Sequence, residues 1–169
     1  MCAGDEQHKR IRAGAGVTNQ GLGEMSFDIG DQARCFAMAA ERCAEQRLSG
    51  PDECQSLPLQ AAVCWAFSIE LGLKALLQRE KRDNVRGHSG HSLRKLFNGL
   101  GQETQESLKR ALMESMSLSC VCFDRLLEEH SGIFSEFRYI HEKISEPQNK
   151  VDANIKFLRA LSEAVLSRV

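Results

Sequence analysis

The sequence is poor in the features that build a β-sheet protein. No stretch alternates apolar and polar residues with a period of two, which is the pattern of a half-buried strand. Proline, which ends or kinks a helix, occurs three times in 169 residues. Long segments are therefore free to form helices, and the chain is predicted to be all-α.

Signals of an oxidising compartment or of a membrane are also missing. The seven cysteines are odd in number and form no CxxC pair, which argues against a disulfide framework. The first twenty residues lack the apolar core of a signal peptide. No apolar run approaches the ~20 residues that span a bilayer. We therefore expect a cytoplasmic protein with reduced thiols and no membrane contact.

A large charge of one sign is absent too. The chain has 22 lysines and arginines against 23 aspartates and glutamates, which gives a formal net charge of -1. This balance excludes a protein that coats nucleic acid through its overall charge, so any site for an anion must be local.

The chain is predicted to consist of a flexible N-terminal arm, residues 1–26, and one helical bundle, residues 27–169. The arm is rich in glycine and polar residues and has no sustained period. The hydrophobic fraction of 42% is enough to build a core without metals or disulfides.

The strongest helical pattern runs from Leu57 to Arg79, with Pro58 suited to the first turn. One of its apolar faces holds Ala62, Trp65, Ala66, Ile69, Leu73 and Leu76, and the nearly opposite face holds Cys64, Phe67, Leu71 and Ala75. A helix that is apolar on both sides must be covered on both sides, either by its own bundle or by a second copy of the chain.

Other helical periods precede and follow this central helix. They run from about residue 31 to the SGPDE break at 49–53, from SLRKLF to about residue 99, from 103 to 129, from 133 to 145 and from 151 to the end. The pattern predicts an antiparallel bundle of about five or six helices with short connections.

Three segments carry a family resemblance: SIELGLKALL (68–77), GHSLRKLF (90–97) and FRYIHE (137–142). In this order and spacing they resemble HEPN-like proteins with the pattern ELxLKxLL, GHxLxxLF and RYxxE, over roughly residues 30 to 165. The resemblance implies a small helical bundle that usually forms a homodimer. Many HEPN proteins are metal-independent ribonucleases of toxin–antitoxin or phage-defence systems, and others are inactive RNA-binding or scaffolding modules.

By the same resemblance, Arg138 and His141 are the expected catalytic residues, and no metal or cofactor is expected. Active members carry an Arg, four to six residues and a His, whereas two residues separate Arg138 from His141 here. The implied reaction is attack of an RNA 2′-hydroxyl on the adjacent phosphate, with His as acid or base and Arg stabilising the developing charge. The alternative is that Arg138 pairs with Glu142 or Glu70 and has a structural role.

Two other pairs fit the family spacing, Arg86 with His91 and Arg125 with His130. The first lies in a predicted loop between helices and the second at a helix end. With 22 lysines and arginines and five histidines, such spacings arise by chance. Neither pair is interpreted as a motif.

Glu70 is predicted to lie on a half-buried flank of the central helix. A buried carboxylate needs a partner, because an unpaired buried charge costs several kcal/mol. Lys74, four residues further on, is one candidate partner, and His91 or Arg138 is another across the bundle. The interpretation is a structural polar network of Glu70, Lys74 and His91.

The stretch RDNVRGHSGHSLRKLF (82–97) lies in the most basic segment of the chain. From residue 79 to residue 95, six cations stand against two carboxylates. The cations are Arg79, Lys81, Arg82, Arg86, Arg94 and Lys95. Such a cluster favours a local site for phosphate or RNA, and a solvated loop is the alternative. Ser89 or Ser92 is expected to cap the helix that follows, and Gly90 permits a tight turn before it.

A metal site in this stretch is not predicted. His88 and His91 have an HxxH spacing, but zinc needs two further ligands and none stands at a suitable spacing nearby.

Three functions therefore stand beside each other. The first is an HEPN-type RNA-directed protein acting as a dimer in phage defence or toxin–antitoxin, either an active metal-independent endoribonuclease or a member that only binds RNA. The second is a catalytically inactive helical adaptor or scaffold bound to an operon-encoded partner, with Phe67 and Leu71 facing that partner. The third is a small-molecule or nucleotide-binding bundle with the glycine-rich helix start as its anion site.

Overall fold

The computed structural model describes residues 28–45, 47–50, 53–55, 57–80, 90–138 and 153–169. The described residues form seven helical segments and one two-stranded ribbon. They are α1 (Ile29–Ala44), β1 (Arg47–Gly50), β2 (Glu53–Gln55), α2 (Pro58–Arg79), α3 (Leu93–Gly99), α4 (Gln102–Met116), α5 (Cys120–Glu129), α6 (Ile133–Arg138) and α7 (Ile155–Leu166). The all-α bundle predicted from the sequence is confirmed. The predicted arm, 1–26, lies outside the described residues.

α2 is the central helix, and the prediction for it is confirmed. It packs against α1, α7, α3 and α6, with the most extensive contact to α1. All six residues of its first predicted face are buried. A buried hydrogen bond of 2.9 Å between the hydroxyl oxygens of Ser68 and Ser162 also joins α2 to α7. Within the described part of the chain, α2 alone is long and apolar enough to cross a membrane by length and composition, and 56% of that apolar stretch is buried inside the protein.

The second predicted face of α2 is half-buried along its length, and α1 and α6 contact it at Phe67. The Phe67 ring stacks on Phe36 of α1, with centroids 5.0 Å apart. Its other side meets the edge of Phe134 from α6 at 4.2 Å. Close approach of α2 to α7 depends on Gly72, because a Cβ there would lie 2.5 Å from Cγ1 of Val165.

The break predicted at 49–53 contains a small structure that the sequence pattern does not indicate. β1 and β2 pair antiparallel, with Arg47 opposite Gln55 and Leu48 opposite Cys54. The strands have four and three residues, too few for an alternating pattern to be recognised.

The single helix predicted over 103–129 is wrong, because the structure divides it into α4 and α5. Ser117 adopts the left-handed conformation with φ 52°, and its N–H donates to the carbonyl of Met113. Ser119 then starts α5, since its hydroxyl accepts from the N–H of Cys122. This division raises the number of helical segments above the five or six expected.

Candidate functional site

Glu70, Lys74 and His91 meet where α2 passes the start of α3. The Glu70 side chain is 3% exposed, and its Oε1 lies 2.6 Å from Nζ of Lys74. Nδ1 of His91 lies 3.1 Å from Oε1 and 3.0 Å from Oε2 of the same carboxylate. The structure thus brings together the three residues of the predicted polar network. Two partners offset the cost of burying the Glu70 charge.

The contact with Glu70 fixes the tautomer of His91. A carboxylate accepts hydrogen bonds, so the imidazole nitrogen that faces it, Nδ1, carries a proton. In the neutral ring the other nitrogen, Nε2, then keeps its lone pair. The His91 side chain is 49% exposed although its partner Glu70 is buried. A half-exposed imidazole backed by a buried carboxylate is an arrangement that can accept and release a proton.

An aromatic row supports His91 on one side. Its ring lies 4.7 Å from the ring of Phe134. Phe134 in turn packs on Phe67 of α2. Phe134 is missing from the residues predicted for the site, because its contact with His91 joins positions far apart in the sequence. The aromatic row limits the movement of the imidazole.

The turn before α3 holds the backbone of His91 in place. Gly90 has φ +50°, a conformation that glycine adopts without the penalty of a side chain. Ser92 caps α3, as predicted, by accepting from the N–H of Lys95 at 3.3 Å. The residues on both sides of His91 are therefore fixed by local structure.

The first N–H groups of α3 are bound by oxygens of the protein itself, so they are not free for an anion in this structure. The N–H of Leu93 donates to the carbonyl of Ser131 at 3.2 Å, and the N–H of Arg94 donates to the Ser131 hydroxyl at 3.1 Å. With Lys95 bound to Ser92, the first N–H groups of α3 already have protein acceptors. Ser131 lies in the connection between α5 and α6, and only the folded chain brings it to α3. A phosphate bound here would have to displace these oxygens, so the contacts give the nucleotide-binding hypothesis no support.

The basic segment is described in part. Arg79 and Lys95 are exposed at the end of α2 and on α3. Arg94 instead contacts α5, where its guanidinium donates to the carbonyl of Asp124 at 2.9 Å and lies 3.3 Å from Oε2 of Glu128. Lys81, Arg82 and Arg86 lie outside the described residues. Arg79 and Lys95 are the described cations of this set that remain exposed for RNA.

Arg138 and His141 are described less fully. Arg138 is the last residue of α6, one turn beyond Phe134. His141 lies outside the described residues, so the pairing of Arg138 with His141 stays a prediction, as does its alternative with Glu142 or Glu70.

Arg125 and His130, the other pair with the family spacing, have separate partners within the chain. His130 is buried; its Nδ1 donates to the carbonyl of Leu126 at 2.8 Å, and its Nε2 accepts from the N–H of Asn154 at 2.8 Å. Both ring nitrogens are thus used to join the end of α5 to the start of α7. Arg125 is exposed and lies 3.7 Å from Glu129. The sequence offered no signal for this role beyond a histidine at a helix end.

The partner face predicted on Phe67 and Leu71 stays a prediction, and both side chains are half-buried. Phe67 lies between Phe36 and Phe134, so α1 and α6 of the same chain cover it. Leu71 is half-buried and lines a hollow of about 700 Å³ between the start of α1 and the end of α2.

Among the described residues, no group of three His, Cys, Asp or Glu side chains is placed to hold a metal ion. His88 of the HxxH spacing lies outside them.

The protein is thus an all-α bundle in which a buried carboxylate of the central helix, Glu70, binds a half-exposed imidazole, His91. Comparison of the chain with known protein families, with curated proteins and with solved structures finds no match.

Proposed function

We propose that this chain is an RNA-directed protein of the HEPN type, acting as a homodimer and as a metal-independent endoribonuclease of the cytoplasm. A role in phage defence or toxin–antitoxin follows from the same resemblance. Arg138 and His141 are the proposed reacting pair, and the exposed cations at 79–95 guide the RNA backbone.

One observation carries this proposal. The first two segments of the resemblance meet in space, since Glu70 of SIELGLKALL binds His91 of GHSLRKLF. His91 also packs on Phe134, one turn before Arg138, which belongs to the third segment. Residues distant in sequence but common to one motif pattern are expected to meet when they share a site.

The test is cleavage of labelled total RNA by purified protein, with and without a chelator. The comparison variant is the double substitution Arg138→Ala, His141→Ala. We expect the wild type to cleave in the presence of chelator and the variant to lose cleavage. Equal background from both proteins would contradict a ribonuclease in which this pair reacts.

The dimer is tested separately by sedimentation. A homodimer is expected at micromolar concentration, and a strict monomer would remove a cleft shared between two copies.

The alternative function, an inactive interaction module with an operon-encoded partner, has one observation of its own. A hollow of about 620 Å³ beside the α4–α5 turn is lined by Met113 and Leu118, among others. Val121, the second residue of α5, is 79% exposed. This hollow is also lined by charged residues, so its surface offers a partner both apolar and charged contacts. Absence of cleavage, together with capture of a protein encoded beside this chain, would favour this function.

A further inference from the structure

We propose that His91, held by Glu70, is a catalytic residue that takes the proton of the RNA 2′-hydroxyl. This inference rests on the proposed action on RNA and names a reacting group besides Arg138 and His141. Glu70 and Lys74 are positioning residues, because they act through His91.

The geometry of the pair supports proton transfer at Nε2. Both carboxylate oxygens of Glu70 lie within 3.1 Å of Nδ1, so the ring is oriented with Nε2 away from the carboxylate. When Nε2 gains a proton the ring becomes an imidazolium, and the Glu70 charge behind it stabilises that cation. Lys74 binds Oε1 at 2.6 Å and so holds the Glu70 carboxylate in place behind the imidazole.

Exposure separates His91 from the other described histidine. His130 is buried, and both of its nitrogens are bound to backbone groups. His91 binds the buried Glu70 through one nitrogen, while 49% of its side chain is exposed. A general base must reach a substrate, and this exposure allows His91 to do so.

Several contacts hold the imidazole in one position. Phe134 packs against its ring at 4.7 Å, and the Gly90 turn and the Ser92 cap fix the backbone on either side. Such support is what a reacting side chain needs, because a small displacement reduces the rate strongly.

The step is a transesterification. Nε2 of His91 takes the 2′-hydroxyl proton, the 2′-oxygen bonds to phosphorus, and the bond from phosphorus to the 5′-oxygen breaks. Water gives the leaving 5′-oxygen a proton, and the hydroxide so formed takes the proton back from His91. The products are a 2′,3′-cyclic phosphate and a 5′-hydroxyl, and neither an oxidant nor a metal is consumed.

The test uses the full chain and a fluorogenic oligoribonucleotide. In His91→Asn the amide N–H replaces Nδ1–H and keeps the bond to Glu70, but the proton acceptor is lost. We expect cleavage to fall by about 100-fold or more. The affinity for the same oligonucleotide with 2′-O-methyl groups, which cannot be cleaved, should stay within about twofold, because the RNA contacts remain. Arg125→Ala, on an exposed side chain, is the control and should cleave like the wild type.

A chemical rescue distinguishes catalysis from folding. His91→Ala leaves space beside Glu70, and added imidazole should restore part of its cleavage but not that of Arg138→Ala. If His91 were purely structural, imidazole would not raise the cleavage rate of His91→Ala when the melting temperature of the variant is unchanged by the addition. The pH–rate profile of Glu70→Gln should also shift from that of the wild type, because the charge behind the imidazole is gone.

The outcomes separate this inference from the proposed function. If the wild type and His91→Asn cleave RNA equally, the inference about His91 is overturned and the proposed ribonuclease function stands. RNA binding without cleavage by the wild type overturns the inference and the enzyme while leaving an RNA-binding protein. If the wild type neither binds nor cleaves RNA, the inference and the proposed function are both overturned.

Discussion

At the scale of single residues, Glu70 offers the most direct measurement of the polar network. Glu70→Ala removes the acceptor of two hydrogen bonds, one from the charged Lys74, in a buried position. We expect the free energy of unfolding to fall by about 2 kcal/mol, the usual value for hydrogen bonds to a charged group. For a chain of this length that corresponds to a melting temperature lower by roughly 5 °C.

The matched control for Glu70 is Glu163→Ala on α7. Its side chain is 67% exposed and pairs with Arg159 at 3.2 Å. A surface pair contributes roughly 0.5 kcal/mol, so a much smaller change is expected there. Equal melting temperatures for the two variants would show that the Glu70 network does not stabilise the fold.

Cys64 gives a prediction about thiol reactivity. Burial raises the pKa of the Cys64 thiol above its usual value. The neighbouring Cys43 thiol raises it further, through its charge and through a hydrogen bond. The thiolate is the reactive form, so iodoacetamide at pH 7.5 should modify exposed Cys35 well before Cys64. Mass spectrometry of quenched samples measures both rates, and equal rates would contradict the prediction.

The same shift has a consequence for stability. Because the pKa of Cys64 is raised on folding, the folded state favours the neutral thiol. This contribution is fully present below the pKa of the unfolded chain and is lost as the pH rises through the folded value. A Cys64→Ser variant should therefore lose less stability than the wild type between neutral and strongly alkaline pH.

At the scale of helices, Gly72 controls how closely α2 and α7 pack. A methyl group at this position would lie 2.5 Å from Cγ1 of Val165, a stiff side chain that is itself buried. Gly72→Ala should lower the free energy of unfolding by about 1 kcal/mol, since an overpacking cost of about 2 kcal/mol exceeds the gain of about 1 kcal/mol in helix propensity. Urea unfolding measures the change.

A second substitution makes this prediction specific. In Gly72→Ala, Val165→Ala the new methyl group occupies space that the valine leaves, so the double variant should be more stable than the sum of the single effects by roughly 1 kcal/mol. Gly99→Ala is the control, because its Cβ would meet the flexible tip of Leu77 at 3.3 Å. Additive effects at Gly72 and Val165 would show that the two residues do not limit the helix spacing.

The helices also show how far the sequence alone leads. α2 was predictable because a long apolar period, Pro58 and the end at Arg79 agree with each other. The break between α4 and α5 was not predictable, because it occurs at Ser117, which adopts a left-handed conformation, and no glycine or proline marks it in the sequence. Local pattern therefore predicts a helix better than its interruption.

The site follows the same division. Lys74 was found as a partner of Glu70 because four residues separate them on one helix. His91 was one of two candidates across the bundle, and in the structure it contacts Glu70. Phe134 and Ser131 were missed, since their contacts with residues 91 to 94 depend on how α5 and α6 pack against α3.

At the scale of the whole molecule, charge decides how RNA binding should respond to salt. With a net charge of -1, the molecule as a whole does not attract a polyanion, so binding must come from local cations. Arg79 and Lys95 are exposed, whereas Arg94 is engaged with Asp124 and Glu128. Arg79→Ala, Lys95→Ala should therefore weaken RNA binding at low salt.

The salt dependence of the affinity tests whether RNA contacts Arg79 and Lys95. Each phosphate contact of single-stranded RNA contributes about 0.7 to the slope of log affinity against log salt, so the double variant should lose about 1.4 of that slope. The control Arg110→Ala, Arg125→Ala removes two exposed cations of α4 and α5 and changes the net charge equally. Fluorescence anisotropy over a salt series measures both. An equal loss of slope in the control would mean that overall charge governs binding, and the RNA surface would then not be confined to residues 79–95.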